Sequence, residues 1–310
     1  MFQKILFPTN FEEFSLPILQ SISCLKRAGL QEVVLLHVMD TGSLYTDVDG
    51  GLPVTVDAVR QALASNLDMI RESASKRLSA YAEFLRSEGI GAKTELATGR
   101  IVPEIIRVAD ENKVSLIVAG RQKRDILGEI FVGSTTDRVI RKATIPVLVA
   151  KYHTLTVIDS GTHEHFCTDL FRKILYPTDW SPCSERAKEF LPLLRSAGAA
   201  EVIVAHVIEN FANFEDVPMH LRDEAQATTT KKSGERLQAL TQELQTHGLR
   251  ATAKILYGEP YREIIHMATE EDVSMIVMGS HGKGFVQGVL WGNVSQRVVE
   301  YSEKPVLVVK

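Results

Sequence analysis

The chain is written twice, and no other feature restricts its fold as much. Phe2-Gln3-Lys4-Ile5-Leu6-Phe7-Pro8-Thr9-Asn10 returns as Phe171-Arg172-Lys173-Ile174-Leu175-Tyr176-Pro177-Thr178-Asp179. The register continues without a gap through Ser15 and Ser184, Ala28-Gly29 and Ala197-Gly198, and His37-Val38 and His206-Val207. It resumes at Gly99 and Gly258 and runs through Gly120 and Gly279, then Gly133 and Gly292, to Pro146-Val147-Leu148-Val149 and Pro305-Val306-Leu307-Val308. Self-similarity on this scale divides the 310 residues into two copies of one folding unit, 1–151 and 171–310. The unmatched stretch from Tyr152 to Leu170 reads as a linker. The extra residues of the first copy fall in Asp40 to Asp57, where Gly42, Gly50, Gly51 and Pro53 mark a loop.

Each copy alternates short runs rich in β-branched residues with longer helical patterns, which predicts parallel strands joined by helices. In the second copy the strands are expected at Lys173 to Tyr176, Val202 to His206, Ala251 to Leu256, Ser274 to Met278 and Val306 to Val309. Leu116-Ile117-Val118-Ala119 and Met275-Ile276-Val277-Met278 are nearly continuous apolar runs, as suits central strands covered on both faces. The second helix of each copy is long: Ala58 to Glu88, with a bend or break near Asn66, and His220 to His247. Their apolar positions, with Met219 and Leu221, read as core. Right-handed crossovers make each copy an open, doubly wound, Rossmann-like α/β sheet of five parallel strands.

Composition narrows the function classes. A net charge of −4 offers no basic field for nucleic acid or anionic lipid. No stretch approaches the roughly 18 apolar residues of a membrane span. Cys24, Cys167 and Cys183 are scattered without CxxC spacing, which indicates neither a disulfide framework nor a zinc knuckle. Together these features point to a cytoplasmic protein that binds neither nucleic acid nor membrane. His153, His163, His165 and Cys167 of the linker lack zinc-finger spacing, and no metal site is assigned. His37 and His206 each end a buried strand and read as structural.

Ligands of such sheets lie beyond the carboxyl ends of the strands, where chain order reverses. Two loops of the second copy therefore matter. One follows its first strand, Pro177-Thr178-Asp179-Trp180-Ser181, and puts a carboxylate at the rim. The other follows its fourth strand and runs from Gly279-Ser280-His281-Gly282 to Gly292-Asn293-Val294-Ser295, where a helix begins. Glycines let a phosphate or ribose come close to backbone amides, and a helix start offers free N–H groups to an anion. The alternative is a flexible glycine-rich surface loop. No GxxxxGK[ST] occurs. Gly282-Lys283-Gly284 misses the GxGxxG pattern because Gln287 stands at its third glycine, which argues against a P-loop hydrolase and a dinucleotide oxidoreductase.

Gly279, two residues, Gly282, nine residues and Gly292 resemble the G-2x-G-9x-G-[S/T] signature of ATP-binding universal stress proteins, and the whole chain resembles a tandem member of that family. The resemblance implies strand order 3-2-1-4-5 in each copy. It also implies a site for ATP or AMP at Asp179, Val207, Gly279, Gly282, Gly292, Asn293, Val294 and Ser295, with Mg²⁺ as a possible companion of the phosphates. Asn293 departs from the signature by replacing Ser or Thr. The first copy departs further, with Asn10 for Asp179 and Lys123 for Gly282. Its second site would comprise Asn10, Val38, Gly120, Gly133, Ser134 and Thr135, and is expected to be poor in nucleotide. No residue is assigned a catalytic role. Regulation through nucleotide occupancy and an unidentified protein partner leads. A slow Mg²⁺-dependent ATP hydrolase and a nucleotide-independent scaffold stay open. The family's pairing through fifth strands implies an intrachain pseudo-dimer of Val147 to Ala150 with Val306 to Val309, and a homodimer is a further possibility.

Overall fold

The apolar runs become strands where they were expected: the first three of the second half extend by a residue or two into their flanks, the fourth runs one residue later, from Met275 to Gly279, and the last is Val306–Val309 as expected. The computed structural model describes residues 2–12, 15–40, 56–121, 134–151, 171–209, 219–282 and 291–310, without the side chains of 56–66, 121 and 219. The first half contains β1 (Lys4–Pro8), α1 (Ser15–Ser23), a 3-10 turn (Cys24–Ala28), β2 (Glu32–Asp40), α2 (Val56–Ser87) and β3 (Gly91–Gly99). It ends with α3 (Ile101–Glu111), β4 (Leu116–Arg121), α4 (Ser134–Lys142) and β5 (Val147–Lys151). The second half contains β6 (Lys173–Pro177), α5 (Pro182–Lys188), α6 (Leu191–Ala197), β7 (Glu201–Ile208) and α7 (Met219–Thr246). Then come β8 (Arg250–Tyr257), α8 (Pro260–Glu270), β9 (Met275–Gly279), α9 (Asn293–Tyr301) and β10 (Val306–Val309). The linker and its His153, His163, His165 and Cys167 lie outside the described residues.

Within each half the strands are parallel in the order 3-2-1-4-5. The halves do not form separate sheets. β5 and β10 pair antiparallel, Val149 opposite Val306, Leu148 opposite Leu307 and Val147 opposite Val308, giving one ten-stranded sheet ordered β3-β2-β1-β4-β5-β10-β9-β6-β7-β8. β5, β9 and β10 are buried along their whole length, as suits their apolar sequences, with Lys151 at the end of β5 the one charged residue among them. The outermost strands β3 and β8 carry Lys93, Glu95, Arg250 and Lys254 and are largely exposed, and such charges discourage pairing with another chain. Each face of the sheet has one core that crosses the seam between the halves. On one face Phe2 of the first half lies 5.6 Å from Phe190 of the second, ring centre to ring centre.

α2 is continuous from Val56 to Ser87, so the break expected near Asn66 does not occur. Ala74, Leu78, Ala82 and Leu85 are buried, but Met69 is 63% exposed, Ile70 46% and, on α7, Leu221 46%. Reading these three as core was wrong, and the reason is length. At about 1.5 Å per residue, 32 residues make a rod of about 48 Å, against about 30 Å for a nine-residue strand, so the amino-terminal turns overhang the sheet. Cys24 is disulfide-bonded and Cys183 is a free thiol, which departs from the expectation drawn from cysteine spacing. Among the described residues no helix is long and apolar enough to cross a membrane, and no cluster of three or more His, Cys, Asp or Glu could hold a metal ion.

Candidate functional site

The loop after the first strand of each half is built the same way. Thr178 Oγ1 accepts from the N–H of Trp180 at 3.1 Å and shares a hydrogen bond with Ser184 Oγ at 3.1 Å. Thr9 Oγ1 accepts from the N–H of Phe11 at 3.0 Å and donates to Ser15 Oγ at 3.1 Å. These turns force Trp180 and Phe11 into left-handed backbone, φ 64° and 62°, a conformation that costs a non-glycine residue energy and needs support. A histidine and an arginine supply it in both halves. His206 packs on Trp180 and donates from Nδ1 to the Thr178 carbonyl at 2.7 Å, while the Arg236 guanidinium lies 4.2 Å over the indole. His37 stacks on Phe11 and donates to the Thr9 carbonyl at 2.8 Å, with Arg77 4.9 Å over the ring. The two histidines are thus structural ties from the second strand to the loop.

In the second half this loop holds Asp179 at the rim, half-buried, with Oδ1 accepting from the N–H of Ser181 at 3.0 Å. Ser181 caps α5, followed by Pro182 in the first turn, and its hydroxyl donates to the His281 carbonyl at 3.0 Å. That bond joins the loop after β6 to the loop after β9. A Cβ on Gly282 would stand 2.6 Å from Asp179 Oδ2, so any side chain there would have to displace the carboxylate. A Cβ on Gly279 would meet the Ser184 nitrogen at 2.6 Å and the Cys183 carbonyl carbon at 2.7 Å. Its missing side chain makes room for α5 against β9. Neither glycine, nor Gly292, has left-handed φ; close approach, rather than unusual backbone, explains all three.

Gly292 precedes α9 in extended conformation, φ −73°, and its N–H donates to the Ser280 carbonyl at 2.9 Å. Gln296 is the residue whose N–H returns to the Gly292 carbonyl, so the N–H groups of Asn293, Val294 and Ser295 form the open first turn. Asn293 is exposed and Val294 half-buried. Ser295 is 3% exposed, and its hydroxyl lies 3.0 Å from the carbonyls of both Gly279 and Ser280. The hydroxyl is therefore engaged in fixing the loop. Thr136 does the same in the first half, reaching the Gly120 carbonyl at 3.3 Å, a role that the alignment of the copies could have suggested. Ser280 is fully buried and its hydroxyl bonds His281 Nδ1 at 2.8 Å. Beneath the site, burial holds the Tyr176 phenol well above its usual pKa while it donates to the Ser184 carbonyl at 2.6 Å. Val207 lies on β7 in register with Leu256, beside the β6 rim.

The first half has a cavity of about 270 Å³ at the same rim, and Asn10, Val38, Gly120 and Thr135 all line it. Ser134 begins α4 and is exposed, while Gly133 and Lys123 lie outside the described residues. Asn10 is drawn to Glu12: its Nδ2 donates to Glu12 Oε1 at 2.6 Å. A larger groove of about 520 Å³ crosses the opposite rim, lined by Lys4, Glu32 and Lys93 among others. It lies at the amino ends of the strands, and its charges are solvated or paired, as in Lys4 with Glu32 at 3.1 Å. Ligands of such sheets lie beyond the carboxyl ends of the strands, and the groove is no candidate on that ground.

Residues 1–151 and 170–310 each match the Universal stress protein family. The universal stress protein MJ0577 of Methanocaldococcus jannaschii is 32% identical over 155 residues, 46% of this chain and 96% of its own length. Universal stress protein Rv2005c of Mycobacterium tuberculosis is 25% identical over 248 residues, 77% of this chain and 78% of its own. A solved universal stress protein from Archaeoglobus fulgidus covers 99% of this chain and 96% of its own with a TM-score of 0.68 at 23% identity, a likeness of fold. With both halves matched and both folded in the order 3-2-1-4-5, the chain belongs to the universal stress protein family.

Proposed function

We propose that the second half binds an adenine nucleotide, ATP or AMP, where the loops after β6 and β9 meet, and that occupancy regulates binding of a protein partner in a cytoplasmic stress response. The observation that carries this reading is the approach of Gly282 to Asp179, 2.6 Å from a would-be Cβ to Oδ2. It sets a carboxylate beside a side-chain-free backbone at the switch point of the sheet, close to the open turn of α9. A carboxylate there suits ribose hydroxyls, and unpaired N–H groups suit phosphate. In this reading the Val207 backbone flanks the adenine, Gly279 and Gly282 border the ribose, and Gly292, Asn293, Val294 and Ser295 hold phosphate. Ser295 contributes through its N–H, because its hydroxyl is engaged. No residue is given a catalytic role, and Mg²⁺ enters only with the phosphates.

The first-half cavity supports a second reading, a weaker site at Asn10, Val38, Gly120, Gly133, Ser134 and Thr135. Mass spectrometry of small molecules released from protein purified without added nucleotide tests both. About one adenine nucleotide per chain is expected. Absence of nucleotide, together with no heat on titration with ATP, contradicts the proposal, and two per chain establishes the second site.

A further inference from the structure

α9 belongs to the second half, yet the first half grips it at both ends. At its first turn Gln296 Oε1 accepts from Arg141 Nη2 of α4 at 3.1 Å, and the same guanidinium lies 5.7 Å from the ring centre of Trp291, just before the helix. At its last turn the Val299 carbonyl accepts from Lys151 Nζ of β5 at 2.6 Å. Lys151 is only 4% exposed, an unusual place for an ammonium group. The carboxyl end of a helix carries the negative end of its dipole, so a cation there is favourable. The arrangement has a pseudo-twofold mate: Lys310, after β10, donates to the Ile140 carbonyl at the matching position of α4. Each half's last lysine thus holds the helix that opens at the other half's glycine loop.

We infer that Lys151 of the first half is a positioning residue for the second half's phosphate-facing helix, so that affinity for phosphate at one half depends on a side chain of the other. The inference rests on the nucleotide reading given above. Lys151 meets α9 in its last turn, at the opposite end from the first turn. It acts by fixing the carboxyl end of a nine-residue rod whose amino end presents the N–H groups. Anion at one end and cation at the other favour the same dipole, which makes the effect specific to phosphate.

Titrations of the full chain with ATP and with adenosine test this in the parent, Lys151→Met and Lys151→Arg, with Lys76→Met, an exposed surface change, as control. Lys151→Met should weaken ATP binding about three- to tenfold and leave adenosine binding within about twofold. Lys151→Arg should recover most of the ATP affinity. Unchanged ATP affinity in folded Lys151→Met, or equal losses for ATP and adenosine, would overturn the inference. Should Lys151→Met not fold, Lys151→Arg must bind ATP more tightly than Lys151→Gln, and equality would overturn it as well. A parent that binds neither ligand refutes the nucleotide reading itself, which is a separate result.

Discussion

At the scale of single residues, Gly279 and Gly282 look alike in the sequence but differ in what replaces the side chain. Gly279 faces the backbone of Cys183 and Ser184, which cannot yield without moving α5. Gly279→Ala should therefore cost about 1–3 kcal/mol, read from the urea midpoint, and a loss below about 0.5 kcal/mol would contradict this packing role. Gly282 is exposed and faces a carboxylate, so its substitution should spare stability and harm ligand binding. The glycine spacing was legible; the neighbour filling each Cβ position was not, because Asp179 and Ser184 are about a hundred residues away. Lys310 shows another feature hidden from the sequence. Burial, with Arg141 nearby acting in the same direction and Cys183 opposing, lowers its pKa from 10.5 to about 8. Between these values the unfolded chain holds a proton that the folded chain has released, so this group makes stability rise with pH across that window. Lys310→Met should flatten the rise, measured as the urea midpoint at about pH 7.5 and about pH 9.5 relative to the parent; an unchanged slope would refute it.

At the scale of elements, the parallel strands and their order could be read from apolar runs and the family resemblance, since fully buried strands leave unbroken hydrophobic sequence. The long helices could not be divided into packed and overhanging parts, because the apolar stripe of α2 continues past the edge of the sheet. Leu78 is 2% exposed and Ile70 46%, although both lie on the apolar helix pattern. Leu78→Ala should cost about 2–5 kcal/mol, and Ile70→Ala should stay within about 0.5 kcal/mol. Similar losses for the two in urea unfolding would mean that the overhang is packed. The ring, histidine and arginine stacks on Phe11 and Trp180 were also missed. Arg77 and Arg236 occupy matching places in the repeat, but nothing in local sequence marks them as partners of a distant aromatic ring.

The whole molecule is one sheet with a pseudo-twofold seam at β5 and β10, and its two cores pass through that seam. Each half therefore leaves an apolar edge when separated. A fragment of residues 171–310 should associate through its exposed β10, since Val306 to Val309 would otherwise present unpaired backbone. Light scattering should give a dimer or larger species, and a stable monomer would show that the seam contributes little. The same continuity lets residues of one half support the ligand loops of the other. Calorimetric titration with ATP should report about one site per chain in the parent. Affinity should fall at least tenfold in Gly282→Lys, about 1.4 kcal/mol, because the new side chain starts 2.6 Å from Asp179 Oδ2. If Gly282→Lys binds ATP as tightly as the parent while Lys123→Gly abolishes binding, the working site lies in the first half, which contradicts a nucleotide site at Gly282.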